Sequence, residues 1–200
     1  EGLYEDQKQG EKVKVTCTKS NEGFATAGGV QYVACAGNFK DAGLEYTGAL
    51  KVLQMIFSYE YLWIQIRVKG GAYGCMCSFS DQGDSMFVTY RDPNLSESYK
   101  VYDEAADYVA DFDADDRDMK KYIIGTIGSM DMPMEAVDMG ARSFHAYFLG
   151  KTEADLQKVR DQVLSCTQED IRALAPIVKA VVEAGNRCCI GNEEKIDQNK

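Results

Sequence analysis

A long apolar segment that ends in two glycines, residues 46–74, constrains the fold of this chain more than any other feature. Because its apolar residues occupy so much of a helical circumference, we expect an amphipathic helix buried on more than one side. Gly70 and Gly71 predict that this helix ends in a left-handed cap, since glycine adopts positive φ without steric penalty. The apolar residues recur at helical spacing, at Ala49, Leu53, Ile56 and Trp63, and again at Leu62 and Ile66.

The segment after the glycines, residues 72–79, predicts a strand, because its residues alternate and are rich in aromatic and thiol side chains. A helix that feeds a strand through so tight a turn places Arg67 and Tyr73 at the rim of a sheet. Two interpretations of this pair stay open on the residues alone. In the first, Arg67 interacts with the negative end of the helix dipole and Tyr73 packs its ring. In the second, both groups point outward and hold a carbonyl oxygen that becomes negative during acyl transfer.

The remaining pattern predicts an α+β fold with helices packed on one face of a largely antiparallel sheet. Residues 20–29 are rich in turn formers, and residues 81–84 predict a tight hairpin. Strands are predicted at residues 12–18, 30–36, 72–80, 85–91 and 186–191.

Helices are predicted from near residues 44–47 to the second glycine, and again from Ser96 almost to residue 183. Ser96 is a suitable N-cap residue, and Tyr99, Tyr102 and Ala106 then share one helix face. Breaks in the second helical region are predicted near residues 111–115, 131–134, 150–152 and 165–168.

Composition excludes some classes of function. The 32 acidic and 22 basic residues give a net charge of −10, so nucleic-acid binding through phosphate neutralisation is not expected. No apolar run is long enough to predict a membrane span. The seven cysteines are an odd number in a chain too large to need disulfides, which favours free thiols in the cytoplasm or an organelle matrix.

Motifs for metal or nucleophilic chemistry are weak, and no metal site is predicted in this chain. His145 is the single histidine, which excludes a two-histidine zinc site and gives no basis for a Ser-His-Asp triad. The acidic run 111–118 lacks the glycine and the final glutamate of a calcium loop. Lys69-Gly70-Gly71 lacks the spacing of a phosphate loop. The pairs Cys75 with Cys77 and Cys188 with Cys189 lack zinc-ribbon spacing and fit small buried hydrophobes better.

A resemblance to a known family lies in the segment Arg67-Val-Lys-Gly-Gly-Ala-Tyr73-Gly, preceded by Tyr61-Leu-Trp and followed by Tyr90-Arg-Asp-Pro-Asn-Leu. It is similar to the last domain of presequence-protease-like peptidases, a branch of the insulinase-type (pitrilysin) zinc metallopeptidases. Upstream, Gln31-Tyr-Val, Gly37-Asn-Phe and Tyr46-Thr-Gly-Ala-Leu fit the same pattern, so the resemblance covers residues 13–95 most strongly.

The resemblance implies a two-layer domain of the LuxS/mitochondrial-processing-peptidase type, and we interpret residues 1–200 as one C-terminal domain of a longer, two-half peptidase. The two halves would close into a chamber around unfolded peptides. Zinc would be bound in the N-terminal half by an inverted His-x-x-Glu-His motif, which this chain lacks.

The resemblance also implies roles for residues of the glycine turn. Arg67 and Tyr73 match an arginine and a tyrosine that assist catalysis by binding the substrate backbone and the oxyanion. Lys69, Gly70 and Gly71 are expected to contribute to substrate binding. The partners would be the N-terminal half of the same polypeptide and the peptide substrate, and the isolated chain would be inactive.

Two alternatives remain. In the first, the parent protein is an inactive insulinase-like homologue that serves as a structural or peptide-binding subunit. In the second, the chain is a thiol-dependent enzyme that uses Cys75 or Cys77.

Overall fold

A five-stranded sheet organises residues 21–198, the part of the chain that the computed structural model describes. The strand order is β1-β5-β2-β4-β3, and every neighbouring pair is antiparallel except β1 with β5. The predicted α+β fold with a largely antiparallel sheet is confirmed. The strands are β1 (Glu22–Thr26), β2 (Tyr32–Asn38), β3 (Gly74–Phe79), β4 (Asp84–Tyr90) and β5 (Asn186–Asn192).

The helices follow the predicted order, and all four predicted breaks between them are confirmed. Two of the helices begin with a capping box, formed by Thr152 with Asp155 and by Thr167 with Asp170. These boxes satisfy backbone N–H groups that the start of a helix leaves unpaired. The helices are α1 (Ala49–Ile56), continued by π-helical segments at Phe57–Tyr61 and Trp63–Lys69, then α2 (Ser96–Asp103), α3 (Ala105–Ala110), α4 (Asp116–Met130), α5 (Ala136–Phe148), α6 (Glu153–Leu164), α7 (Gln168–Arg172), α8 (Ala175–Glu183) and α9 (Glu193–Asp197); a 3₁₀ turn at Phe39–Ala42 precedes them.

The two faces of the sheet differ. One face buries alternate strand residues such as Val33, Cys77 and Phe87 against helices that include α1 and α8, which confirms that helices pack on one face. The intervening residues point to the opposite face, where apolar side chains are exposed. They include Tyr32, Met76, Met86, Tyr90 and Ile190.

The long helix is less buried at its C-terminal end than predicted. Trp63 was expected on the buried face, yet 40% of it is exposed. The reason is that backbone bonds here reach five residues back, as from the Leu62 N–H to the Phe57 carbonyl. Each such π-type bond adds a residue to the turn and rotates the following side chains, so a count based on 3.6 residues per turn fails.

The start of α1 is fixed by a close approach from α6. Gly48 precedes the helix, and a Cβ atom there would lie 2.4 Å from the Val159 carbonyl oxygen. Its N–H donates to the side-chain oxygen of Gln162 at 2.8 Å. Glycine is therefore required where the two helices cross, and α1 begins slightly later than predicted.

Three smaller predictions need correction, and one lies outside the described residues. The turn-rich segment 20–29 contains strand β1, because its parallel pairing with β5, as between Glu22 and Cys188, overrides the local turn propensity. Strand β2 lies two residues later than predicted. Ser96 does not cap α2, since its hydroxyl is directed to Glu97. The strand predicted at residues 12–18 lies outside the described range. Within residues 21–198 no helix has the length and apolar character needed to cross a bilayer.

Candidate functional site

The glycine turn has the predicted left-handed cap. Gly71 has φ +80°, while Gly70 remains helical at φ −80°. The Ala72 N–H donates to the Ile66 carbonyl at 3.1 Å, and the Gly71 N–H donates to the Arg67 carbonyl at 3.1 Å. These bonds satisfy carbonyl groups that the end of a helix leaves unpaired, and they fix the angle at which β3 leaves the helix.

The turn is supported by the segment that follows β4. Asp92 is fully buried and accepts hydrogen bonds from the Ser98 hydroxyl at 2.6 Å and the Asn94 N–H at 2.9 Å. The Asn94 side chain then donates to the Gly70 carbonyl at 2.6 Å. This chain of contacts gives the motif Tyr90-Arg-Asp-Pro-Asn-Leu a physical role, because it clamps the turn from one side.

Arg67 and Tyr73 meet at the rim of the sheet. The half-buried Arg67 guanidinium donates to the Tyr73 carbonyl oxygen and lies 4.3 Å from the ring centroid of Trp63. Its central carbon is 5.6 Å from the Tyr73 ring. Tyr73 is 63% exposed, and its hydroxyl has no hydrogen-bond partner among residues 21–198. The positions of the two groups therefore agree with the prediction, while their role stays a prediction.

Tyr73 belongs to a row of aromatic rings on the open face of the sheet. Its ring contacts Tyr90 edge-on at 5.6 Å, and Tyr90 contacts Tyr32 edge-on at 5.5 Å. The guanidinium of Arg91 lies 6.0 Å from the Tyr73 ring. Such ring contacts restrict the orientation of the Tyr73 side chain and leave its hydroxyl group without a hydrogen bond to the described residues.

Sequence reasoning did not assign these supporting residues. Trp63 could have been found from its position four residues before Arg67 on one helix. The hairpin register, which pairs Gly74 with Tyr90, could have placed Tyr90 beside Tyr73.

The other three predicted substrate-binding residues add no side-chain contact to this pair. The exposed Lys69 donates from Nζ to the Gln65 side-chain oxygen at 3.2 Å, one turn back along the helix. The Gly70 carbonyl is engaged by Asn94. Gly71 is exposed, and what it contributes is the shape of the turn. Among the five predicted residues, the structure thus brings together the functional groups of Arg67 and Tyr73, while the two glycines contribute backbone to the same turn.

The acidic run and the single histidine have structural positions. Asp115 accepts from the N–H groups of Arg117 and Asp118 and caps α4. His145 lies exposed on α5. Among the described residues, no three His, Cys, Asp or Glu side chains are placed to hold a metal ion.

Burial disfavours the thiolate form of Cys75 and Cys77, the two cysteines considered for nucleophilic chemistry. All six cysteines in the described range are free. Burial raises the pKa of Cys75 to about 11, although Arg67 opposes the shift, and burial raises the pKa of Cys77 further. Since the thiolate is the nucleophile, these values disfavour a thiol-dependent enzyme at neutral pH.

Comparison with known proteins assigns the family. Residues 21–192 match the family described as the PreP C-terminal domain. The chain belongs to that family. The predicted resemblance to presequence-protease-like peptidases is therefore confirmed, and it extends through the helical region and the closing strand.

Relatives of this PreP C-terminal domain are much longer proteins. Over 182 residues, 91% of this chain, it is 44% identical to protein HypA of Clostridium perfringens. It is 34% identical to presequence protease 1, chloroplastic/mitochondrial, of Arabidopsis thaliana over 88% of this chain. The chain spans 19% and 16% of those two proteins.

A solved structure confirms the fold. The inactive domain of a peptidase from Pseudomonas fluorescens superposes with a TM-score of 0.63 at 14% identity, covering 90% of this chain and 45% of that one.

Proposed function

We propose that residues 1–200 form the non-catalytic C-terminal domain of a zinc metalloendopeptidase that degrades unfolded peptides inside a closed chamber. In this proposal Arg67 and Tyr73 bind the substrate backbone and stabilise the oxyanion of the tetrahedral intermediate. The observation that carries it is the pairing of a fixed guanidinium with an exposed phenol at the uncovered rim of the sheet.

The arrangement suits a developing negative charge. An arginine has five N–H donors, and Arg67 directs one of them to the Tyr73 carbonyl, which leaves others for a substrate. Trp63 and that carbonyl hold the guanidinium in place before a substrate arrives. Donors that are already positioned stabilise an oxyanion without reorganising during the reaction, and a carbonyl oxygen gains most from them when it becomes negative.

Zinc does not fit the residues that the structure describes, 21–198. The chain has a single histidine, and the described residues offer no three-ligand group. The proposal therefore assigns zinc to the N-terminal half of the parent polypeptide, which is the expected partner of this domain. The part played by this chain is to bind and orient the peptide and to donate hydrogen bonds to it.

The test is turnover of a quenched fluorescent peptide by the intact parent polypeptide carrying Arg67→Ala or Tyr73→Phe. We expect turnover to fall about 100- to 1,000-fold in each variant, the usual cost of losing one oxyanion donor. Arg67→Lys should have nearly as low a turnover as Arg67→Ala, because an ammonium group cannot reproduce the planar fork of a guanidinium.

Matched controls make the same chemical changes elsewhere. Arg117→Ala on α4 and Tyr147→Phe on α5 alter exposed side chains away from the rim and should leave turnover unchanged. Wild-type turnover in both Arg67→Ala and Tyr73→Phe would remove the assigned role.

The sequence upstream of Glu1 in the parent gene distinguishes this proposal from an inactive, peptide-binding homologue. An inverted His-x-x-Glu-His motif is expected there, and its absence would favour the homologue. Free thiols fit a reducing compartment, which we propose is the cytoplasm or an organelle matrix.

A further inference from the structure

A continuous groove runs along the outside of the long helix beside the edge strand β3. It consists of two cavities of about 560 and 470 Å³ that share Lys51, Ser129 and Met130. Trp63 and Cys75 line one end, next to Arg67 and Tyr73. We call the two cavities together the edge groove. Its far end is lined by Phe79, Asp81, Arg142 and Lys151.

The edge groove is cationic although the chain carries a net charge of −10. Lys51, Arg142 and Lys151 line it, and Asp81 is the one carboxylate in its lining. Asp81 already forms an ion pair with Lys151. The local balance is therefore two uncompensated positive charges.

Among these cations, Lys51 gives the strongest indication of an anionic ligand. It is half-buried in the middle of the groove and has no hydrogen bond or ion pair within residues 21–198. Burial lowers the pKa of Lys51; Asp81 opposes this shift, while Lys151 and Arg142 add to it. A desolvated ammonium group among other cations is stabilised by an incoming anion.

Arg142 is also available to a ligand. The one hydrogen bond that its guanidinium makes in the described range is a long one, 3.9 Å, to the sulfur of Met134. Asp131 lies within electrostatic reach, but Arg160 holds that carboxylate through two hydrogen bonds of 2.5 and 2.7 Å.

The neighbouring strand favours a peptide as the ligand. β3 is the last strand of the sheet, so one of its edges has no strand partner in the described part of the chain. An exposed edge presents backbone N–H and C=O groups to an extended peptide. Cys75 and Phe79, at opposite ends of β3, line opposite ends of the groove.

We infer that the edge groove binds a carboxylate of the same peptide whose backbone is held at Arg67 and Tyr73, with Lys51 and Arg142 as its partners. This inference rests on the proposed function and adds a substrate preference to it. Lys51 lies sixteen residues before Arg67 on one helix, a distance of roughly 20–24 Å. At about 3.3 Å per extended residue, six or seven peptide residues span it. The carboxylate is an acidic side chain or the C-terminus.

The test measures binding to the intact parent polypeptide by fluorescence anisotropy of labelled twelve-residue peptides, with EDTA present to stop turnover. Four peptides share one neutral sequence. They carry either Glu or Gln at the position seven residues from the label, and either a free or an amidated C-terminus. We expect a carboxylate-bearing peptide to bind about tenfold more tightly than the neutral, amidated one. The Glu and C-terminal arms identify the source of the carboxylate.

Lys51→Gln should bring that ratio close to one, and raising the salt concentration should reduce it. The matched control, Lys179→Gln, removes an equal charge from an exposed position on α8 and should keep the ratio. Equal affinities for all four peptides, or a ratio that survives Lys51→Gln, would overturn the inference. Arg67→Ala should weaken the binding of all four peptides by the same factor. The experiment therefore distinguishes a failure of the groove inference from a failure of the proposed function.

Discussion

The helices α1 and α5 carry similar apolar stripes but have opposite environments. In α1, residues such as Leu50, Leu53 and Ile56 are completely buried against the sheet. In α5 no residue is buried, and Val137 and Phe144 are 73% and 65% exposed. An apolar stripe thus predicts that a helix has an apolar side, but it does not predict that the chain itself provides the covering surface.

Local contacts around the two helices account for this difference. The helix that continues α1 enters a cluster of rings, where Phe57 contacts Phe79, Phe87 and Tyr108. The aromatic residues of α5 contact one another instead, with Phe144 and Phe148 at 4.6 Å. Truncating one ring in each region tests this difference most directly.

Phe57→Ala should lower the free energy of unfolding by about 3–5 kcal/mol, because it leaves a cavity in a closely packed cluster. Phe144→Ala makes the same change on an exposed helix and should alter stability by no more than about 0.5 kcal/mol. Urea unfolding followed by circular dichroism measures both. Comparable losses in the two variants would mean that α5 is packed as firmly as the long helix.

Replacing a glycine by alanine should change stability in opposite directions at the end of the long helix and in α5. Gly71→Ala should cost about 1–2 kcal/mol, since φ +80° is unfavourable for a residue with a Cβ atom. A Cβ atom at this position would lie 3.6 Å from the ring of Pro93, an ordinary van der Waals contact, so the cost is conformational. Gly140→Ala, in the middle of α5 with open space around it, should stabilise the chain by about 0.5–1 kcal/mol. Thermal unfolding of the two variants should therefore shift in opposite directions.

The smallest effect concerns the ion pair between Asp81 and Lys151, which links the β3–β4 turn to the segment after α5. Burial acts to raise the pKa of Asp81, but the hydrogen bond and charge of Lys151 outweigh it and leave the pKa below its usual value. The stabilisation is therefore present above the ordinary carboxyl pKa of about 3.9 and is lost as the pH falls through the lowered folded-state value.

Its size should be below about 1 kcal/mol, as for other partly exposed ion pairs. Asp81→Asn and Lys151→Gln should each flatten the pH dependence of the unfolding free energy between about pH 5 and 2. The double variant should add nothing further, and additive effects would show that the two groups do not act as a pair.

Sequence patterns succeeded where the structure is fixed by neighbours along the chain. The left-handed cap at Gly71, the hairpin after β3 and the helix breaks near residues 150–152 and 165–168 depend on local backbone chemistry. The proximity of Arg67 and Tyr73 follows from the same turn.

The features that were missed depend on distant residues or on a change of helix type. Strand β1 depends on a partner at the other end of the chain, and Trp63 is turned outward by π-type hydrogen bonds that leave no periodic pattern. The edge groove forms where α4 and the segment after α5 approach Lys51, and no single stretch of sequence contains that arrangement.

The position of β5 between β1 and β2 has a consequence for synthesis of the protein. Glu22 pairs with Cys188, so a growing chain carries β1 without its partner until nearly the whole domain has left the ribosome. β2, β3 and β4 can pair among themselves well before then. Completion of the sheet is consequently a late, non-local step with a large loop-closure cost. In a chain stopped short of β5, strand β1 has no partner and one edge of β2 stays open, and both are exposed to aggregation.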